Sequence, residues 1–114
     1  MPETQAAQSI SRQLIDASGS ADSNYRAGCR ARTRKEFIAK LGVVVEESDE
    51  SLGWLQLLVD SSICPAQAAE ALIKEADELV SIFVQSHKTA RQNYEAEQAR
   101  KKAAKEHEAK NRRR

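Results

Sequence analysis

The stretch that decides the fold runs from Arg34 to Asp60, RKEFIAKLGVVVEESDESLGWLQLLVD. Its apolar and small residues recur at alternating steps of three and four, the spacing of a helix packed lengthwise against other helices. A second row lies beside the first, so the apolar face is wider than a single partner helix needs. This pattern predicts the central helix of a bundle. The first row is Ile38, Leu41, Val45, Ser48, Leu52, Leu55 and Val59, and the second is Phe37, Val44, Ser51 and Leu58.

The composition favours helices along the whole chain. Its 114 residues include only 4 Gly and 2 Pro, and strong helix formers dominate. No alternating apolar and polar run bounded by turn residues occurs, so we expect no strands. No apolar run approaches the ~20 residues of a membrane span, and the polar start MPETQAAQSISRQ is unlike a signal peptide. The sequence therefore predicts one small all-α domain in the cytoplasm.

Two further helices are predicted, one on each side of the central stretch. In the first, Ser18-Gly19-Ser20 lowers the helix propensity, which predicts a kink or a helix that only packing maintains. Thr33 and Glu36 form a capping-box pattern where the central helix starts. Pro65 suits the first position of the last helix, because its missing N–H costs nothing there. We expect the helices at about residues 3–30, 34–60 and 65–94, within an up-and-down bundle domain of residues 1–94.

The last helix changes character after Tyr94. Up to that residue, an apolar stripe recurs at helical spacing. Residues 95–114 lack the stripe but still favour helix, with Glu97 and Lys101 in the favourable i,i+4 order. We therefore expect a charged helical tail that projects into solvent and frays toward its end. The stripe consists of Ala69, Leu72, Ala76, Leu79, Phe83, His87, Ala90 and Tyr94.

Charge is strongly segregated along the chain, although the formal net charge is only +1. Residues 26–40 carry six basic residues against one acid, and residues 41–87 carry nine acids against one lysine. Residues 88–114 carry ten basic residues against four acids. This order indicates either an anionic partner at the basic parts or pairing between unlike parts of neighbouring chains.

The residue types that bind metals or catalyse reactions do not form a recognisable site. Cys29 and Cys64 lack metal-binding spacing; two free thiols in a reducing compartment are favoured over a disulfide. His87 lies on the apolar stripe and is expected to pack there, whereas His107 is expected to be solvated. The acids between Glu46 and Glu50 lack the Glu-x-x-His pair of a di-metal bundle. Without a phosphate loop, nucleophile elbow or triad, the sequence predicts no cofactor, no metal and no enzyme.

Several segments, taken in order, carry a resemblance to a known family. They are Asn24–Arg26, the basic run that leads into Lys35–Ile38, and the stretches Glu50–Leu58 and Glu75–Val84. From about Gln8 to Arg91 the chain resembles the four-helix bundle protein family, also named after the protein encoded by intervening sequences in bacterial 23S ribosomal RNA genes. The resemblance implies an up-and-down bundle that assembles into ring-shaped homopentamers. A related branch associates with a reverse transcriptase and nucleic acid in diversity-generating retroelements, and no enzymatic activity is implied.

The sequence departs from the family pattern in three places. The family's opening helix has no counterpart ahead of Pro2, so the three predicted helices correspond to the second, third and fourth of the family. The stretch Ser20–Ser23 is one residue shorter than usual and contains Asp22 where an apolar residue is common. Ala27 stands where members often have Glu. A truncated gene, a decayed gene and a genuine three-helix variant all remain open.

The basic stretch and the basic tail are the candidate nucleic-acid contacts. Arg26, Arg30 and Arg34 would share one face if the first helix continued through them, and Arg32 would lie off that face. The alternative is a solvated hinge that pairs with the acidic helix of a neighbouring copy. The candidate contacts are Arg26, Arg30, Arg32, Arg34, Lys35, Lys101, Lys102, Lys105, Arg112, Arg113 and Arg114.

The apolar rows supply the candidate residues for packing within the bundle or between copies. Because two sister helices cannot cover the wide central face, we expect self-association, and the resemblance implies a pentamer. Two functions are open: a non-enzymatic module that binds RNA or DNA, and a structural or protein-interaction module without a nucleic-acid role. No small-molecule substrate is evident. The packing candidates are Phe37, Leu41, Val44, Leu52, Trp54, Leu55, Leu72, Leu79 and Phe83.

Overall fold

The computed structural model describes residues 4–113. Within that range the chain forms three helices and no strand: α1 (Gln5–Cys29), α2 (Arg34–Asp60) and α3 (Ala66–Arg112). Short turns connect them, so consecutive helices run in opposite directions. This architecture confirms the predicted all-α bundle of three long helices. None of the described helices contains an apolar segment of the length that crossing a membrane requires.

The start of α2 follows the predicted capping pattern in part. Thr33 is the N-cap, with an extended backbone, and its Oγ1 accepts a hydrogen bond from the backbone N–H of Glu36 at 3.1 Å. In a capping box the Glu36 carboxylate would accept the N–H of Thr33. Instead its Oε2 accepts the N–H of Arg32 at 3.4 Å, one residue further back. The Glu36 carboxylate therefore stabilises the turn between α1 and α2 from its position in the first turn of α2.

Helix α1 continues unbroken through Ser18-Gly19-Ser20. Its N-cap is Thr4, whose Oγ1 accepts the N–H of Ala7 at 3.0 Å. Ala7 and Ala17 are buried on the narrow apolar face against α2. The part of the expected helix start that falls on residues 2 and 3 lies outside the described residues.

Helix α2 is the centre of the bundle, as its broad apolar face predicts. Both α1 and α3 pack on it, whereas the backbones of α1 and α3 do not come into contact over the described residues. The two outer helices meet through Tyr25 and Phe83, whose ring centroids lie 6.0 Å apart. Val44, only 1% exposed, lies in the buried core of α2. The bundle is therefore open between α1 and α3, which both lie on α2 but have no backbone contact with each other.

The molecule is a rod of 77 × 20 × 18 Å. Helix α3 has 47 residues, which corresponds to a length of about 70 Å, and it extends well past the other two helices. All described residues from 98 onward are exposed, so this part of α3 projects as a tail. Because α3 runs from the bundle into the tail without a break, the boundary between residues 94 and 95 stays a prediction.

Many large apolar side chains of the bundle remain exposed. They occur on all three helices rather than in one loop or at one end. Packing within a single copy therefore covers only part of the apolar surface that the sequence provides. The exposed residues are Ile15, Tyr25, Phe37, Leu57, Leu72, Leu79, Ile82 and Val84.

Candidate nucleic-acid interface

The turn between α1 and α2 separates Arg34 from the arginines of α1. Arg30 ends α1, and its backbone N–H donates to the carbonyl of Ala27 at 3.2 Å. Thr33 then adopts the extended conformation of a cap, and a new helix begins at Arg34. Arg26, Arg30 and Arg34 therefore do not line one helical face, because the chain turns between Cys29 and Arg34, where the capping pattern predicts the boundary.

Two arginines of this stretch are held by ion pairs. Arg26 Nε lies 3.3 Å from Oδ2 of Asp22, one helical turn earlier in α1. Arg34 forms an ion pair with Glu97 of α3. The remaining basic side chains of the stretch are exposed and form no ion pair with any described residue. They are Arg30, Arg32 and Lys35.

Glu97 links the turn to the tail. Its carboxylate binds Arg34 and also lies 3.2 Å from Nζ of Lys101, the i,i+4 partner that the sequence predicts. The hydrogen bond from Lys101 and the charge of Arg34 lower the pKa of Glu97 below its ordinary value. The contact places Glu97 of α3 beside the start of α2, so the basic turn and the beginning of the basic tail lie at the same end of the rod.

The basic side of the tail faces the same way as Glu97. Lys101, Lys105 and Arg112 follow Glu97 at helical spacing, within about 80° of it around the helix. Glu108 shares this side and is paired with Arg112 at 3.3 Å. From Glu97 to Arg112 the helix extends about 22 Å. The turn and the tail thus form two walls of one basic corner. Lys102 is exposed on another side of the same part of the helix, about 140° around from Glu97. We call Arg30, Arg32, Lys35, Lys101, Lys102 and Lys105 the basic end, because all six lie at this end of the rod.

Of the remaining tail candidates, Arg113 is exposed at the end of α3. Arg114 lies outside the described residues. The opposite half of the rod is acidic, because the antiparallel helices bring the acids of Glu46–Glu50 and Glu70–Glu78 to the same half. The charge segregation along the sequence has therefore become a segregation along the long axis of the molecule.

A family comparison accounts for most of the chain. The model of the 23S rRNA-intervening sequence protein matches residues 1–85. The chain belongs to the 23S rRNA-intervening sequence protein family. This confirms the resemblance carried by the segments around Asn24–Arg26 and Glu75–Val84. The match ends before the tail, so the tail lies outside the part of the chain that the family model matches.

A solved structure is similar to this member of the 23S rRNA-intervening sequence protein family. It is a protein with unknown function from the S23 ribosomal protein family of Bacteroides thetaiotaomicron VPI-5482. The similarity has a TM-score of 0.65 at 25% sequence identity, and it covers 69% of this chain and 73% of that one. It supports the helical-bundle fold. No curated protein matches this chain significantly.

The described residues of this family member offer little for catalysis or metal binding. No group of three or more His, Cys, Asp or Glu among them could hold a metal ion. His87 packs against α2, with Nε2 only 3.2 Å from the point where a Cβ on Gly42 would lie. His107 is exposed in the tail, beside Asn111. The absence of an enzymatic role remains a prediction.

The packing candidates fall into three groups by exposure. Leu41 and Val44 are buried in the core of the bundle. Leu52, Trp54, Leu55 and Phe83 are half-buried, and the indole N–H of Trp54 donates to Oε1 of Glu50 at 3.3 Å. The third group is exposed and free to meet another copy, which stays a prediction. It consists of Phe37, Leu72 and Leu79.

Sequence reasoning missed the contact of Glu97 with Arg34, which links α3 to the start of α2. Arg34 and Glu97 are 63 positions apart, so no local pattern relates them. The only signals were the opposite charges of the two residues and the antiparallel order of α2 and α3.

Proposed function

We propose that this protein is a non-enzymatic, cytoplasmic helical-bundle protein that associates with copies of itself and binds RNA or DNA through its basic end. One observation carries the proposal. The basic turn and the basic side of the tail lie at one end of the rod, joined by the contacts of Glu97 with Arg34 and Lys101. The free thiols of Cys29 and Cys64 suit the reducing compartment.

The geometry of the corner suits a phosphate backbone. The tail wall of about 22 Å spans about six phosphates of one strand at their ~3.4 Å spacing. Exposed lysines and arginines without an acidic partner bind phosphates with little desolvation cost and release counterions. Tyr25, an aromatic close to the turn in sequence, contacts Phe83, so base stacking adds little. Binding is expected to depend on the backbone and not on the base sequence.

Two pairs of substitutions test the basic end. Arg30→Gln with Lys35→Gln neutralises the turn, and Lys102→Gln with Lys105→Gln neutralises the tail. All four side chains are exposed and form no ion pair with a described residue. Each pair should weaken binding to mixed-sequence RNA and DNA in fluorescence anisotropy. It should also flatten the plot of log K against log salt by about 0.9 for each duplex phosphate that the variant no longer neutralises.

The matched control carries the same change of charge away from the basic end. Arg12→Gln with Lys74→Gln removes two exposed positive charges from α1 and from the acidic half of α3. Affinity and salt dependence should stay close to those of the unmodified protein. Absent binding, binding insensitive to salt, or equal losses in the control would refute nucleic-acid binding at the basic end.

A second candidate is a structural or protein-interaction module without a nucleic-acid role. The exposed apolar side chains of the bundle favour it, since such surface usually marks a protein contact. In that case the basic turn pairs with acidic surfaces of sister copies or of another protein. The charge reversals Arg30→Glu and Arg34→Glu should then reduce the assembled mass in light scattering. Arg30→Glu is the cleaner probe, because Arg34 also pairs with Glu97 in its own chain. An unchanged mass would argue against this candidate.

A further inference from the structure

A shallow hollow lies on the side of α2 that is turned away from the core. Nine residues separate Gly53 from the buried Val44, which places the two on opposite sides of the helix. Nothing lies within 4 Å of the point where a Cβ on Gly53 would stand. Trp54 and Leu57 form the apolar sides of the hollow, and Leu57 is 39% exposed. The hollow can therefore admit side chains of another surface.

Three carboxylates surround the hollow, those of Asp49, Glu50 and Asp60. Oε1 of Glu50 accepts the indole N–H of Trp54 at 3.3 Å, and Oδ1 of Asp60 accepts the side-chain amide of Gln56 at 3.2 Å. All three acids are exposed, and none forms an ion pair with a described residue. Their charges are therefore available to a cationic partner. We call Asp49, Glu50, Trp54, Gln56, Leu57 and Asp60 the acidic face.

We propose that the acidic face docks in the basic end of a second copy of this chain, so that successive copies contact each other head to tail. The inference rests on the self-association proposed above and names the two surfaces that carry it. Because the contact joins two different surfaces, every docked pair keeps one of each free for a further neighbour. Contacts of this kind close into a ring or extend into a filament.

Charge complementarity identifies the occupant. The basic end contains exposed cations without an acidic partner, Arg30, Arg32 and Lys35, and the acidic face contains exposed carboxylates without a cationic partner. Each surface repels a second surface of its own kind and attracts the other kind. The contact is therefore between unlike surfaces, and one chain supplies both of them.

The dimensions of the basic end also suit this occupant. Its tail wall is about 22 Å long, and the rod measures 20 × 18 Å in cross-section. Ala104 lies beside Lys101 and Lys105 on the side of the tail that carries Glu97. The methylene groups of the two lysines, together with Ala104, can cover the apolar hollow while the ammonium groups reach its carboxylates.

Docking and nucleic acid use the same cations. A basic end that holds the acidic face of a neighbour has Arg30, Arg32 and Lys35 covered, so phosphates cannot reach them. The apparent affinity for nucleic acid then falls in proportion to the fraction of basic ends that remain free. Assembly therefore restrains the nucleic-acid binding proposed above.

Leu57→Arg and Ile15→Arg test the acidic face as a matched pair. Both residues are exposed and aliphatic, but Ile15 lies on α1, outside both surfaces. Light scattering at micromolar concentration should give particles of more than two chains for the unmodified protein and for Ile15→Arg. Leu57→Arg should give the 12.7 kDa monomer, because its guanidinium would meet the cations of the basic end.

Mixing two variants tests the head-to-tail arrangement. Arg30→Gln with Lys35→Gln impairs the basic end and keeps the acidic face, whereas Leu57→Arg does the reverse. Each variant alone should be monomeric, but an equimolar mixture should form a dimer of about 25 kDa, twice the 12.7 kDa chain, because only one intact contact can form. Such a dimer would also show that both variants are folded. A mixture that stays monomeric, or that regains the full assembly, would overturn the docking.

Fluorescence anisotropy with a mixed-sequence RNA tests the competition. Leu57→Arg and Ile15→Arg add the same charge, so a difference between them reports the free basic ends. At micromolar protein, Leu57→Arg should bind about tenfold more tightly than Ile15→Arg if about nine ends in ten are docked. Equal affinities would contradict docking at the basic end.

The outcomes keep this inference apart from the proposed function. A monomeric unmodified chain overturns both the docking and self-association, whatever its affinity for RNA. An assembly that Leu57→Arg leaves intact overturns the docking alone, as does an unmodified protein that stops at two copies. If Leu57→Arg dissociates the assembly but neither variant binds RNA, the docking stands and the nucleic-acid role fails.

Discussion

Gly42 and Gly53 both lie on α2, but a methyl group would meet different surroundings at each. At Gly53 nothing lies within 4 Å of the added Cβ, whereas at Gly42 the His87 ring lies 3.2 Å away. Gly53→Ala should therefore raise the free energy of unfolding by about 1 kcal/mol, the usual gain of alanine over glycine in a helix. Gly42→Ala should gain less, because His87 has to move.

Urea denaturation followed by circular dichroism, at one fixed protein concentration, measures both changes. The control is to repeat Gly42→Ala in a His87→Ala background, where the full gain should return. Equal stabilisation by the two single variants would show that His87 does not press on α2 at Gly42.

At the scale of the elements, the contact of Glu97 with Arg34 joins α3 to the start of α2. Because the folded state lowers the pKa of Glu97, the ionised carboxylate stabilises the fold at neutral pH. That contribution is complete above the ordinary pKa of a glutamate and is lost as the pH falls through the lower pKa of the folded state. Because an exposed ion pair contributes little, Glu97→Gln should be only slightly less stable than the unmodified protein at pH 7, and the difference should vanish in acid.

Thermal unfolding of both proteins at several pH values measures this difference. Glu95→Gln is the control, since Glu95 is exposed and forms no ion pair with a described residue. High salt should shrink the Glu97→Gln effect, because the pair lies near the surface. A difference that persists unchanged into acid would exclude the ion pair as its cause.

The helices themselves could be predicted from sequence, since their periodicity and caps are local. The spacing from Phe37 to Val59 identified α2, and Thr33 identified its start. The predicted break between the first two helices also agrees with the structure, and it keeps Arg26, Arg30 and Arg34 from lining one helical face. Sequence reasoning could not find the contact between Arg34 and Glu97, which depends on how two helices pack after folding.

At the scale of the whole molecule, the tail continues the backbone of α3 but does not pack against the bundle. Deleting residues 98–114 should leave the free energy of unfolding nearly unchanged, because the described residues from 98 onward are all exposed. The same deletion should sharply lower nucleic-acid affinity. Urea denaturation measures the free energy of unfolding, and fluorescence anisotropy on the same samples measures the affinity. A large loss of stability would mean that the tail contributes to the core.

The candidate site could be predicted only as a set of charges. The sequence indicated two basic segments, but their meeting at one end follows from the antiparallel packing of α2 and α3. The open side of the bundle could not be located from the sequence for the same reason, since it depends on how α1 and α3 pack on α2. The wide apolar face of the central helix indicated that apolar surface would remain exposed, and the fold determined on which side.

The unbroken course of α3 from the bundle into the tail has a mechanical consequence. A helix without a hinge behaves as a stiff arm, and the Arg34–Glu97 contact lies where that arm leaves its support. On the proposed function, a nucleic acid bound by Lys102 or Lys105 would keep a fixed orientation to the long axis of the rod, whereas a flexible linker would let it turn freely. The backbone of α3 would then set the direction of the bound molecule as well as its distance from the bundle.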